Sequence, residues 1–245
     1  MRMIYGFTSS VALATVVIAG AALASTNASA GTITVLNPSF ETLAAGYPNF
    51  GPGSCARGCT YSLGLGIPDW NASPTSSSYG QFQPGNPANT AYYNNPLPDG
   101  PTVAFISGGA LYQTVVNSMV AGVTYTLGVD VGYRKDLADD GSVGLGIGNN
   151  FLSGSFLSIS NGQQFSGNWV FDTVSYTATA ADQGQMLSVV LDNTGGQGNF
   201  DNVSVSASPL PSTWTMLIAG FVGLLGFVAF GGEKRKVTAN AAALT

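Results

Sequence analysis

The sequence predicts an all-β fold, a two-sheet antiparallel β-sandwich of the jelly-roll kind, and three observations predict it. Only 8% of the 245 residues are charged, while glycine fills 33 positions. Helices dress their solvated faces in Glu, Lys and Arg, whereas strands are covered by Thr, Ser and Asn. From Val123 to Arg134 the alternation is strict: Val123, Tyr125, Leu127, Val129, Val131 and Tyr133 are apolar, and the residues between them are polar or small. A period of two means one face on a core and one face in water. Between residues 31 and 207 no ten-residue stretch keeps a helical period, and Gly, Asn and Asp turns punctuate the chain. Many short strands between such turns imply packed sheets rather than helices.

Taken in order, residues 1–30 read as a signal peptide. Arg2 is followed by the apolar run Val11 to Ala24 and by Ala28-Ser29-Ala30, the small-x-small pattern of a cleavage site; an uncleaved N-terminal anchor is the alternative. Residues 31–207 form the sandwich domain, with strands expected at Thr32–Leu36, Thr102–Ser107, Ala110–Val116, Val123–Arg134, around Val143, Leu145 and Ile147, and at Ser155–Ser160, Asn168–Thr179, Met186–Asp192 and Asn199–Ala207. Asp139-Asp140-Gly141 is good turn chemistry and predicts a hairpin between the two alternating runs that flank it. Residues 46–101, rich in Pro, Gly, Asn, Ser and Tyr, are expected to be long loops with a few short strands, draped over one end or face. A Pro-rich motif follows at 208–213, then a hydrophobic stretch at 214–231 expected as a single transmembrane helix, and a basic tail at 232–245 expected to be cytoplasmic.

Several function classes are excluded or weakened by composition. The domain carries eleven acidic residues against three basic ones, Arg57, Arg134 and Lys135, so the clustered cations that hold nucleic acid are missing. The chain has no histidine, which rules out Ser-His-Asp and Cys-His nucleophile machinery. The domain holds one glutamate, which makes a glycosidase pair such as Asp172 with Asp192 a weak reading. Cys55 and Cys59, four apart in a Gly/Pro-rich segment, read as a small disulfide loop in an exported chain, with free thiols as the alternative. Asp136, Asp139 and Asp140 lack the spacing of a calcium loop and read as a solvated hairpin tip, and Arg134 reads as an exposed partner of Asp136 or Asp130. Trp70 and Trp169 read as core residues.

The order of Pro209-Leu210-Pro211, Trp214, a short glycine-bearing apolar span and Lys234-Arg235-Lys236 resembles the PEP-CTERM sorting signal of exopolysaccharide-producing Gram-negative bacteria. The resemblance implies an exosortase partner in the inner membrane, a membrane-anchored intermediate, and release to the cell surface or beyond; a plain uncleaved anchor is the alternative. The family's central Glu is Leu210 here. A second resemblance rests on Leu36-Asn37-Pro38-Ser39-Phe40-Glu41, Ile67-Pro68-Asp69-Trp70, Leu111-Tyr112-Gln113-Thr114-Val115, Ala121-Gly122-Val123-Thr124-Tyr125-Thr126-Leu127 and Phe200-Asp201-Asn202-Val203. In this order they resemble the galactose-binding-like jelly rolls of carbohydrate-binding modules. That resemblance implies one structural Ca2+ held by Glu41 and Asp201 between the first and last strands. Tyr79, Phe82, Tyr92 and Tyr93, set among Gln81, Gln83, Asn89, Asn94 and Asn95, have the composition of a sugar-contacting loop. The expectation is therefore a non-catalytic, exosortase-sorted surface or matrix protein with weak exopolysaccharide contacts. A structural or adhesive protein without a ligand site is the second reading, and a glycan hydrolase a remote third.

Overall fold

A computed structural model of the chain describes residues 30–55, 58–85, 91–159, 162–208 and 220–221. The expected signal segment, the Pro-rich motif with Pro209 and Pro211, Trp214, nearly all of the hydrophobic stretch and the basic cluster lie outside these residues. Among the described residues no helix is long and apolar enough to cross a membrane. In the described residues twelve strands follow one another as β1 (Gly31–Ile33), β2 (Thr60–Tyr61), β3 (Asn71–Ala72), β4 (Ser78–Gln83), β5 (Val103–Ser107), β6 (Gly109–Val116), β7 (Thr124–Gly132), β8 (Asp139–Ile147), β9 (Asn150–Ser158), β10 (Trp169–Thr177), β11 (Leu187–Gly196) and β12 (Gly198–Ser208). One 3-10 turn, Ala180–Asp182, links β10 to β11.

The strands form two antiparallel sheets. The larger runs β10-β7-β12-β5-β4-β2, with β1 also on β12, and the smaller runs β3-β6-β11-β8-β9. Strand β12 is central: one edge pairs with β7, and the other is shared, Gly198–Phe200 facing β5 and Val205–Ala207 facing β1. Between Asp201 and Ser204 its register against β7 shifts, and Asn202 takes φ 49°. This bulge puts Phe200 and Val203, three residues apart, into the same core. That core lies between the sheets and is mostly aliphatic: Leu127, Val129 and Val131 from β7 meet Leu111, Val143, Leu145, Val189 and Leu191 from the smaller sheet. Each such side chain contributes roughly 1.5–3 kcal/mol by leaving water.

Two expectations need correction. The runs around Asp139-Asp140-Gly141 do not form a hairpin, because β7 belongs to the larger sheet and β8 to the smaller. Asp139 to Gly141 start β8 itself. A Cβ on Gly141 would stand 2.1 Å from the Asp192 carbonyl oxygen, so this glycine serves the close approach of β11 rather than a turn. Asp139 is 1% exposed, far from a solvated tip. Within 46–101 lie the short strands β2, β3 and β4, and β4 is hydrogen-bonded between β2 and β5.

This segment gives the larger sheet a second buried face. Along β5, Ala104 and Ile106 enter the main core, while Val103 and Phe105 point the other way into a separate cluster with Cys59, Phe82, Tyr92 and Tyr93. Alternation thus holds on β5, but both faces are covered.

Candidate functional site

The second cluster leaves a cleft of about 320 Å3, within the size range of small-molecule sites. Strand β4 supplies Ser78 and Phe82, β5 supplies Phe105 and Ser107, and β2 supplies Tyr61; Tyr92 comes from the segment before β5. Cys55 and Cys59 form the expected disulfide, with Cα atoms 5.7 Å apart, and the two half-cystines make another wall. The rings meet edge to face, as their quadrupoles favour: Phe82 and Tyr92 at 5.2 Å between centroids, Tyr61 and Phe105 at 6.4 Å. Phe50 stacks behind Tyr61 at 4.6 Å.

Arg134, just past the end of β7, and Gln197, between β11 and β12, complete the lining. The guanidinium carbon sits 4.5 Å from the Tyr92 ring centroid and 5.1 Å from that of Phe82, a cation–π arrangement. Arg134 Nε and Nη2 donate to the two carboxylate oxygens of Asp136 at 2.9 and 2.7 Å, and Nη1 donates to Gln197 Oε1 at 2.7 Å. The expected exposed pair is therefore a bidentate one with a largely buried arginine, its side chain 9% exposed.

Several buried polar atoms lie outside the cleft lining. Tyr93 is fully buried, its ring 4.8 Å from that of Trp169, whose indole lies so close over Gly132 that a Cβ there would stand 2.5 Å from it. The Tyr93 hydroxyl, Trp169 Nε1, Asn199 Oδ1, Asp139 Oδ2 and Asp172 Oδ2 are buried without a hydrogen-bond partner, each an uncompensated cost. Burial pushes the Tyr93 hydroxyl well up its scale. It likewise raises Asp139 to about 8, although a hydrogen bond from Asn193 opposes the shift. Asp201 is also raised to about 8 by burial, against hydrogen bonds from the Asp99 and Asn202 amides. Both carboxyls are thus held neutral near pH 7. Neither belongs to the cleft lining.

The expected sugar-contacting residues divide. Phe82 and Tyr92 line the cleft, but Phe82, Tyr92 and Tyr93 are buried in the second cluster instead of offering open ring faces. Tyr79 packs half-buried against the main core. Gln81 is spent on structure: its amide donates to the Phe40 and Thr42 carbonyls and accepts from the Ala44 amide. The aromatics turn inward because they are what covers the sheet's outer face.

Glu41 and Asp201 are both anchored on the segment Asp99 to Thr102. Glu41 accepts from the Thr102 amide and hydroxyl at 2.8 and 3.0 Å, and Asp201 accepts from the Asp99 amide at 3.0 Å and from Asn202 at 2.8 Å. Every oxygen of the pair thus faces an N–H or O–H donor. Among the described residues no three His, Cys, Asp or Glu side chains gather as a metal site. No chemistry below is routed through a metal at this pair. The sequence reading missed Arg134 and Gln197 as partners; the usable signal was that Arg134 is one of three basic residues in the domain.

With this geometry in place, the comparisons fall into order. The model of a family described as HpiC1-like, HpiC1 cyclase, matches residues 31–206. Among solved structures, a Stig cyclase, FisC, from Fischerella sp. TAU is 22% identical with a TM-score of 0.57, over 74% of this chain and 99% of that one. A second structure of a cyclase from the same organism gives 22% and 0.57, over 73% and 98%. These share the jelly-roll sandwich. A family 61 carbohydrate-binding module is further off, at 13% identity and a TM-score of 0.40 over 71% and 98%. No curated protein matches. The family match overturns the expectation of a non-catalytic, glycan-contacting matrix protein. That expectation tested for hydrolytic nucleophiles and paired carboxylates, and a ring closure can proceed without either.

Proposed function

Since the chain belongs to the HpiC1-like cyclase family, we propose that it is a cyclase whose aromatic cleft folds a flat, largely apolar substrate and closes a ring in it by isomerisation. The carrying observation is the cleft itself, lined by Tyr61, Phe82, Tyr92 and Phe105 and walled by the Cys55–Cys59 disulfide. The FisC structure holds (3Z)-3-(1-methyl-2-pyrrolidinylidene)-3H-indole and the second holds 4-(1H-indol-3-yl)butan-2-one. An indole-bearing substrate suits a cleft of ring edges and faces.

The chemistry balances without an added reactant. A proton placed on an unsaturated carbon leaves a cation, a neighbouring π bond attacks it to form the ring bond, and one proton then leaves. Ring faces favour a cation nearby, a shaped cavity holds the reacting carbons within reach of each other, and exclusion of water protects the cation from capture. The purified protein, incubated with a panel of 3-alkenyl indoles, is expected to yield a product of unchanged mass and new retention time. Tyr92→Ala should lower the rate by about a hundredfold or more if the cleft orients the substrate. No equal-mass product from any member, with the protein folded, would sink the reading.

The ends supply the address in this proposal: residues 1–30 direct export, and Pro209, Pro211, Trp214 and Lys234-Arg235-Lys236 present the C-terminus to an exosortase, which would leave the enzyme outside the inner membrane. The support is the pattern in the sequence. Intact mass of the protein recovered from cells and medium tests it; a full-length, uncut cytoplasmic protein would overturn it.

A further inference from the structure

We infer that Arg134 determines substrate specificity by donating to a neutral hydrogen-bond acceptor, of the carbonyl type, carried by the flat substrate; this rests on the cleft being the substrate site. A guanidinium has five N–H donors. Three are committed, one each on Nε, Nη1 and Nη2, to Asp136 and Gln197. One hydrogen on Nη1 and one on Nη2 are left on a side chain that lines the cleft and is only 9% exposed. Buried donors of a cation gain most from an acceptor that reaches them, because water reaches them poorly.

The surroundings choose the acceptor. One face of the guanidinium is engaged with the Phe82 and Tyr92 rings, so a ligand meets the donors in the guanidinium plane. Asp136 already balances the charge through both of its oxygens. An entering anion would therefore lose its hydration to a guanidinium whose charge is already balanced, whereas a carbonyl loses far less. Gln197 Oε1, fixed by Nη1, keeps the fork from rotating. The remaining lining is three serines, Leu63, the disulfide and aromatic rings, which suits a planar ring system. The assigned class is thus an aromatic bicycle bearing a carbonyl.

Three near-isosteric probes, titrated into the full-length protein by calorimetry, test the assignment: 3-acetylindole, 3-ethylindole and indole-3-carboxylate. The wild type should bind 3-acetylindole about tenfold more tightly than 3-ethylindole, the scale of a charge-assisted hydrogen bond, with indole-3-carboxylate weaker than the ketone. Arg134→Lys, which keeps the charge and loses the fork, should bring the ratio of 3-acetylindole to 3-ethylindole affinity to about one, whatever it does to each affinity. Equal binding of the ketone and the ethyl probe by the wild type overturns the inference and leaves the cleft reading standing. Preference for the carboxylate overturns the choice of a neutral acceptor. Failure of 3-ethylindole as well as 3-acetylindole to bind the folded wild type overturns the cleft reading itself. The wild-type comparison needs no variant, so a poorly folded Arg134→Lys would not blunt it.

Discussion

The two faces of the larger sheet are built from the same strands and differ in kind. Inward, Ala104, Ile106, Leu127 and Val131 join a mostly aliphatic interior. Outward, Val103 and Phe105 meet tyrosines, a disulfide, a buried cation and unpartnered polar atoms, and a cleft remains. Aliphatic side chains interlock to high density and leave no room. Flat rings meeting edge to face leave a gap between them, and polar atoms that are costly to bury persist there. The comparison teaches that stability and chemistry are divided between opposite faces of one sheet, about one backbone thickness apart.

The largest expected effect lies on the inner face. Leu127→Ala should cost roughly 2–5 kcal/mol by loss of burial and by the cavity left behind, read by urea denaturation, with a far smaller effect on affinity for an indole probe once the folded fraction is accounted for. If probe affinity fell in parallel with stability, the division between faces would be wrong. Next comes the outer wall. Replacing both Cys55 and Cys59 by alanine should cost about 2 kcal/mol, since the closed loop is short, yet weaken probe binding more than Leu127→Ala does.

The third effect is one of pH. Asp139 ionises near 3.8 in an unfolded chain and near 8 in the fold. The folded state therefore holds an extra proton between these values, and the stability contributed by the neutral carboxyl is complete below about pH 4 and lost as pH rises through about 8. Asp139→Asn removes that titration, so its melting temperature should fall less between pH 5 and pH 8.5 than that of the wild type. Asp201 has the same sign, so part of the slope should remain. A slope unchanged in the variant would show that Asp139 is ionised in the fold.

Much of the fold was legible because alternation reports which residues share a face. It does not report which sheet a strand joins, so β7 and β8 looked like a hairpin although they lie in different sheets. Asp139-Asp140-Gly141 misled because glycine serves two ends: a turn, or the approach of a neighbouring carbonyl to 2.1 Å of where a Cβ would be. Of the site, the Cys55–Cys59 bridge and the presence of Phe82 and Tyr92 were readable from local composition. The contact between Arg134 and Gln197 was not, since the two are 63 residues apart in sequence and meet only because β12 inserts between β5 and β7. The family's chemistry was hidden for a related reason: a cleft of rings carries no spaced motif of the kind that marks a nucleophile.

The central position of β12 sets an order of events during folding. Strands β5 and β7 have no direct hydrogen bonds to each other and are joined only through Gly198–Ser208. The larger sheet therefore cannot assemble on the ribosome until the final eleven-residue strand has been made, and until then its halves are loose hairpins and single strands with exposed aromatics. Truncation before Gly198 should yield an insoluble product rather than a smaller stable domain.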